Sequence, residues 1–173
     1  MENPAAPPPL EGGCACGQVR YRLHEAPLLV HCCHCTRCQR ETGAAFALNA
    51  LVVAEHVEHL GDHRPIMFPV PTDSGTGQDI ARCAACGVAL WSNYAGGDSL
   101  VRFVRVGTLD EPARVRPDVH IYTRSRVPWV ELPPDVPAFE AFYDVKKVWA
   151  EDARRNAVLL RLAARVAQAG HAE

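Results

Sequence analysis

Four of the eight cysteines in the chain lie within seven residues, from Cys32 to Cys38. Three of them form a C-x-C-x-x-C pattern at Cys33, Cys35 and Cys38. In extended backbone, residues i and i+2 point to the same face, so the first two sulfurs can converge and a turn can return the third to them. Three convergent thiolates without a local fourth ligand are typical of an open zinc site with one exchangeable position.

Cys32 and His34 alternate with these cysteines, so we expect them on the opposite face of the strand. We interpret Cys32 as a small buried hydrophobe. A competing interpretation makes Cys32 an eighth ligand, which would give two closed sites of four cysteines each. Adjacent residues of an extended strand, such as Cys32 and Cys33, point to opposite faces. This favours one site with four cysteine ligands and one with three.

Two cysteine pairs flank this cluster in the sequence. Cys14 and Cys16 form a C-x-C pattern, and Cys83 and Cys86 form a C-x-x-C pattern. Together they predict one structural site with four sulfur ligands. A thioredoxin-like redox pair at Cys83 and Cys86 would need a βαβ context, which the surrounding sequence does not offer. Four sulfurs suit iron as well as zinc, so this alternative stays open.

Composition restricts the class of protein. The 173 residues predict one domain, or one domain with an extension, and the formal charge of −2 offers no general attraction to nucleic acid or anionic membranes. The first ten residues do not have the pattern of a signal peptide, and no apolar run approaches the ~20 residues of a membrane helix. We therefore expect a cytoplasmic protein, in which reduced cysteines favour metal over disulfides.

Short apolar stretches predict a mainly β fold. Val19, Tyr21 and Leu23 alternate with polar residues, as in a half-buried strand. His120 either lines an active site or is a hydrogen-bonded sheet histidine. The other predicted strands are 46–53, 100–106 and 119–122, and further short apolar runs lie at 28–30 and 88–91.

The segments between these strands predict loops. Residues 1–11 read as a disordered leader and 65–77 as a loop whose glycines lack the G-K-[ST] ending of a nucleotide site. We expect His56, His59 and His63 to be exposed rather than metal-bound.

The C-terminal third predicts helices. Asp135 and Pro137 indicate a helix start leading into 138–143, and 145–169 reads as one long amphipathic helix. Its apolar face could dock on the sheet or on a second subunit, which would give a homodimer. Its basic residues are typical of a solvated face, with a nucleic-acid backbone as the less favoured ligand.

The open site suggests thiol chemistry. A zinc ion with three thiolate ligands is a weaker Lewis acid than one with three histidines, but it can bind an incoming thiol as its thiolate. A free thiol has a pKa of about 8.5 and is mostly protonated at neutral pH. A thiolate held beside an electrophile fits the addition of a small thiol to an aldehyde, or the reverse reaction.

These motifs resemble the family of glutathione-dependent formaldehyde-activating enzymes and centromere protein V. The resemblance covers about residues 12–143 and is carried by the following segments: Gly13–Tyr21, Cys33–Cys38, Arg82–Leu90, Val106–Asp110, His120–Tyr122 and Pro128–Trp129.

The resemblance implies a β-tent of small antiparallel sheets around a structural zinc, with residues 12–143 as the catalytic domain and 144–173 as a helical extension. It implies two zinc ions: a structural one held by Cys14, Cys16, Cys83 and Cys86, and a labile catalytic one held by Cys33, Cys35 and Cys38. The implied activity joins glutathione and formaldehyde into S-hydroxymethylglutathione, which makes the enzyme a carbon–sulfur lyase working in the synthetic direction.

The extension and Cys32 lie outside the motifs of this family. Glutathione carboxylates need cationic partners, and six arginines are candidates: Arg37, Arg40, Arg102, Arg105, Arg124 and Arg126. The rival hypothesis is a zinc-structured module without catalysis that binds a protein or nucleic acid. A salt-sensitive complex with DNA or RNA would favour that rival.

Overall fold

The computed structural model describes residues 9–72, 77–94 and 100–169, with side chains described as far as Ala164. Within these residues, ten strands form two sheets. Three strands pair in the antiparallel order β1-β2-β5, and seven pair in the order β10-β3-β4-β9-β8-β7-β6. The strands are β1 (Leu10–Gly13), β2 (Arg20–Leu23), β3 (Leu29–Cys33), β4 (Ala47–Val53), β5 (Val57–Leu60), β6 (Ile66–Val70), β7 (Gln78–Arg82), β8 (Ala89–Tyr94), β9 (Val101–Arg105) and β10 (Val119–Ile121).

The central strand β4 of the large sheet is buried on both faces, and its successive side chains point to opposite sides. In β4, Ala50 and Val52 face a core shared with the small sheet. Leu51 and Val53 face a second core, which also contains Trp149 and Val158 from the C-terminal helices. The large sheet is thus the middle layer between the small sheet and the helices.

The fold is mainly β with C-terminal helices, as expected. The three-stranded sheet is antiparallel as expected, whereas the other sheet is mixed, since its seven described strands include a parallel pair, β3 with β10. Among the described residues, no helix combines the length and apolarity needed to cross a membrane.

Three α-helices are present in the described chain: α1 (Thr36–Thr42), α2 (Val145–Ala150) and α3 (Ala153–Ala169). The prediction of one long helix from 145 to 169 is wrong. The Asp152 carboxylate accepts a hydrogen bond from the Arg155 backbone N–H at 2.9 Å, which caps the start of α3 and separates it from α2.

The helix predicted at 138–143 is also wrong. Backbone groups of this segment pair with β10 instead: His120 N–H donates to the Pro137 carbonyl at 2.8 Å, and Phe139 N–H donates to the His120 carbonyl at 2.9 Å. Because these groups complete the sheet edge, they are not available for helical hydrogen bonds.

Two loop predictions and the predicted exposure of two of the three histidines also change. Residues 66–70 form β6, which pairs with β7, and the predicted loop residues 73–76 lie outside the described chain. Strand β1 begins at buried Leu10, inside the predicted leader, of which residues 1–8 are outside the described chain. Only His63 is exposed as expected, whereas His56 and His59 are half-buried and His59 packs against Trp91.

Candidate metal centres and substrate cleft

The sulfurs of Cys14, Cys16, Cys83 and Cys86 all lie within 4.8 Å of one another. Two of the separations are 3.4 Å, between Cys14 and Cys16, and 3.6 Å, between Cys16 and Cys83. A tetrahedral site with Zn–S bonds of about 2.3 Å has sulfurs about 3.8 Å apart. The four sulfurs therefore fit one tetrahedral metal ion.

Two turns of the same design hold these sulfurs. In the first, Cys14 N–H donates to the Val19 carbonyl and Gly17 N–H donates to the Cys14 carbonyl. In the second, Cys83 N–H donates to the Val88 carbonyl and Gly87 N–H donates to the Cys83 carbonyl. Both glycines have positive φ, 78° and 74°, which glycine adopts without steric cost.

Backbone N–H groups point at these sulfurs. Val19 N–H donates to Cys14 Sγ at 3.3 Å. Burial raises the pKa of Cys14, but this N–H and the thiols of Cys16 and Cys83 outweigh burial, so the pKa is lowered overall. The backbone N–H groups of Val88 and Cys16 lower the pKa of Cys86 to about 6. The backbone N–H of Gln18 lowers the pKa of Cys16, but the neighbouring thiols raise it to about 12, so the four sulfurs are not all thiolates without a cation. Metal ligands must be deprotonated, and a divalent ion would supply the missing positive charge.

The second sulfur cluster lies where β3 runs into α1. Cys33 ends β3, Cys35 is the N-cap of α1, and Cys38 lies in the first turn of that helix. Their sulfurs lie within 4.8 Å of one another, so the convergence expected from the spacing is present. Cys38 N–H donates to Cys35 Sγ at 3.3 Å, and the thiols of Cys33 and Cys38 together with this N–H lower the pKa of Cys35. These donors also suit a metal ion.

This second cluster opens into a cleft of about 320 Å³. Two of the six candidate arginines line it, Arg37 and Arg105. The Arg105 guanidinium donates to Asn49 Oδ1, and at 2.8 Å to Ser92 Oγ, both of which are uncharged. Its positive charge is therefore available to a bound anion.

The other candidate arginines are placed elsewhere. Arg102 lies over the Trp91 ring, 5.0 Å from its centroid, and burial lowers its pKa. Arg126 donates to the Val130 carbonyl. Arg40 and Arg124 are exposed and do not line this cleft.

Cys32 and His34 lie away from the three-cysteine cluster, as expected, and form a third buried group with His120. His34 Nε2 lies 2.9 Å from His120 Nδ1 and 3.6 Å from Cys32 Sγ. The opposite nitrogens, His34 Nδ1 and His120 Nε2, are buried without a hydrogen-bond partner. Metal-bound histidines almost always donate that second N–H, so we interpret this group as a hydrogen-bonded imidazole pair beside a thiol.

Tyr122 directly follows β10 in the left-handed conformation, with φ of 57°, and is the one non-glycine residue of the described chain with positive φ. Its carbonyl accepts hydrogen bonds from the backbone N–H and the Oγ of Ser125, and that Oγ also lies 3.0 Å from the His34 carbonyl. Gln39 Nε2 donates to the carbonyls of His34 and Ser125. This network ties the end of β10 to the turn that carries Cys35.

His31 lines the cleft and was not selected from the sequence, although it alternates with Cys33 on the same face of β3. Its Nε2 lies 2.8 Å from the Tyr143 hydroxyl, which also accepts a hydrogen bond from Trp149 Nε1 at 3.2 Å. The Tyr143 hydroxyl therefore links the Trp149 indole N–H to the His31 ring. Burial lowers the pKa of His31 to about 4, so the ring is neutral at pH 7.

Comparison with known proteins now identifies the family. The family model for the glutathione-dependent formaldehyde-activating enzyme matches residues 9–125. The chain belongs to this family. The assignment drawn from the cysteine motifs is confirmed.

Individual relatives are distant. A Halomonas elongata protein, provisionally named a glutathione-dependent formaldehyde-activating enzyme, is 26% identical over 126 residues, which cover 71% of this chain and 80% of that protein. A Rhodobacter sphaeroides protein of known crystal structure aligns with a TM-score of 0.41 and 18% identity, over 62% of this chain and 91% of the other. The second similarity is too low to support any inference.

Proposed function

We propose that the protein is a zinc-dependent enzyme that forms or breaks the carbon–sulfur bond between glutathione and formaldehyde. The observation that carries this proposal is the position of the Cys33, Cys35 and Cys38 sulfurs beside a cleft that also presents a cation, Arg105. Family membership supports the same activity at a coarse level.

The three-cysteine cluster would hold the reactive metal. Zinc bound there would supply a position at which the glutathione thiol is held as its thiolate. Cys35 fixes the geometry of this site, because it is both a ligand and the N-cap of α1. The four-cysteine cluster would hold a second zinc whose role is structural.

Arg37 and Arg105 would bind the carboxylates of glutathione. Both line the cleft, and guanidinium groups pair well with carboxylates because they offer parallel N–H donors. Asn49 and Ser92 orient the Arg105 guanidinium without neutralising it. This arrangement would place the thiol end of glutathione toward the cysteines.

The reaction is an addition without net oxidation. The sulfur forms a bond to the aldehyde carbon, the π pair of the C=O bond moves to oxygen, and the thiol proton ends on that oxygen. Tyr94 and Tyr122 line the cleft and can donate an O–H to this oxygen. Burial raises the pKa of both phenols, that of Tyr94 to about 12, so both keep their protons at pH 7.

The rival function, a nucleic-acid-binding module, has less support. The basic residues of α3 whose side chains are described are used within the chain: Arg154 pairs with Glu25 and Arg161 with Glu55. Arg155 donates to the Leu28 carbonyl at 2.7 Å. These contacts support a helix that packs on its own sheet.

Metal analysis tests the proposal. Protein purified without chelator should contain two zinc ions per chain, and glutathione should speed the transfer of one of them to a colorimetric dye. Exchange between free and glutathione-bound formaldehyde, followed by NMR, should be faster with the enzyme than without it. Two zinc ions equally inert to glutathione, with no acceleration of exchange, would contradict the proposal.

A further inference from the structure

Five rings form a continuous wall along the cleft beside the three cysteines. In order along the wall they are Tyr94, Phe103, His31, Phe142 and Tyr122, and all of them line the cleft. Neighbouring ring centroids are separated by 4.9, 6.0, 5.8 and 6.2 Å. We call this surface the aromatic wall.

The rings of the aromatic wall contact one another and leave part of their surface exposed to the cleft. Aromatic centroids 4.5–7 Å apart are in favourable contact, so each ring supports the next. The His31 ring is also stacked on Tyr143, with planes 11° apart and centroids 5.6 Å apart. Phe142 remains 43% exposed although it packs against His31, Tyr122 and Tyr143. A rigidly supported, exposed ring beside a reactive site is available to a ligand.

Formaldehyde has no apolar group that could contact the ring faces of this wall. Its carbon carries only hydrogen, and the carboxylates of glutathione are assigned to Arg37 and Arg105. Part of the cleft surface is therefore left for another portion of the adduct. The part of the adduct that varies between aldehydes is the substituent on the carbon bonded to sulfur.

We propose that the aromatic wall binds an apolar substituent of the aldehyde, so that the enzyme prefers glutathione adducts of aldehydes with an aromatic or branched side chain over the adduct of formaldehyde. This inference rests on the proposed function and specifies its second substrate. Phe142 is the specificity-determining residue. It lies beyond residue 125, where the family match ends, so a residue outside the matched region shapes the cleft.

Two stable thioethers test the preference without turnover. S-benzylglutathione carries a ring on the carbon bonded to sulfur, whereas S-methylglutathione carries none. Calorimetry on the zinc-loaded protein should show roughly tenfold tighter binding of the benzyl compound, because a ring-sized apolar contact supports discrimination of this order. Phe142→Ala should reduce the ratio of the two dissociation constants to near one, and Phe142→Leu should keep part of the preference for the benzyl compound.

Phe68→Ala is the matched control. Phe68 is 45% exposed, as Phe142 is, but it lies on β6 and does not line the cleft. This variant should keep the wild-type ratio. Equal affinities for the two thioethers in wild type, no binding of either, or the same loss of ratio in Phe68→Ala would overturn the inference.

The outcomes separate this inference from the proposed function. Formaldehyde exchange that is catalysed equally well by wild type and Phe142→Ala, with no preference for the benzyl thioether, overturns the inference and leaves the function standing. A benzyl preference that depends on Phe142, with no catalysed addition of glutathione to formaldehyde or to phenylacetaldehyde, supports the wall as a binding site and contradicts the function.

Discussion

The two cysteine clusters differ in how the chain builds them. The four-cysteine cluster joins two turns that are about 70 residues apart in sequence, since Cys16 and Cys83 are separated by 67 positions. The three-cysteine cluster is local, with all of its sulfurs between Cys33 and Cys38. The first therefore links distant parts of the fold, whereas the second depends on one strand end and one short helix.

Because of this difference, we expect the two clusters to have different roles. A link between distant segments restricts the unfolded chain strongly, because it closes a long loop. A local cluster adds little of this restriction, but it can leave one coordination position open beside a cleft. We therefore expect changes in the four-cysteine cluster to affect stability most, and changes in the three-cysteine cluster to affect chemistry most.

Replacing Cys14 with Ala should have the largest effect on stability. Cys14 is buried and its sulfur is one of four that fit a metal ion, so its loss should lower the free energy of unfolding by about 4 kcal/mol or more. Urea denaturation of the zinc-loaded protein, followed by circular dichroism, measures this. A variant as stable as wild type would show that the four-cysteine cluster is not structural.

Replacing Cys35 with Ala should abolish activity and spare the fold. The expected cost in stability is only about 1 kcal/mol, because Cys35 Sγ caps α1 through the Cys38 N–H. Formaldehyde exchange and urea denaturation, measured on the same preparation, separate the two effects.

Cys35→Ser is the matched control for this change. Serine keeps an N-cap acceptor but is a poor ligand for zinc, so it should restore stability without restoring activity. If Cys35→Ala and Cys14→Ala destabilised the protein equally, the division between the clusters would be wrong.

The local features of the fold could be predicted from sequence. Cys33 and Cys35 share a face because alternation in a strand is a property of the backbone, and Cys38 returns to them within one helical turn. The alternation of Val19, Tyr21 and Leu23 likewise identifies the inward face of β2. In both cases the residues that determine the local structure are only a few positions apart in the sequence.

Features that depend on distant contacts could not be predicted in this way. Ala138 precedes a segment with helix-forming residues, yet it pairs with His120 because the edge of β10 needs partners. The position of Phe142 in the cleft depends on the same pairing, and no local pattern indicates it. The end of α2 depends on the Asp152 cap, which competes with a continuous apolar stripe.

Replacing Tyr143 with Phe tests the support of the three-cysteine cluster by the C-terminal helices. The change leaves His31 Nε2 and Trp149 Nε1 without their buried partner, which should cost about 1–3 kcal/mol. Hydrogen exchange should show faster opening of α2 and α3, with protection kept in the turns that hold Cys14 and Cys83. Equal loss of protection in both regions would show that the clusters are not supported independently.

The smallest expected effect concerns the ion pair beside the four-cysteine cluster. Arg20 on β2 donates to the Asp110 carboxylate, with Nη1 2.8 Å from Oδ1, and joins the small sheet to the segment that follows β9. Hydrogen bonding by Arg20 lowers the pKa of Asp110 below its ordinary value of 3.8. Because the folded pKa is the lower one, the stabilisation is present at neutral pH and is lost as pH falls from about 4 through the folded pKa.

Asp110→Asn should therefore lower the free energy of unfolding at pH 7 by only about 0.5–1 kcal/mol, since both side chains are partly exposed. The difference from wild type should shrink below pH 4, where the wild-type carboxylate also becomes neutral. Glu111→Gln is the control, because the ion pair of Glu111 with Arg114 spans only three residues of the sequence. Urea denaturation at pH 7 and pH 3.5 measures both variants. A difference for Asp110→Asn that stays constant across this range would mean that the carboxylate charge does not help hold the four-cysteine region together.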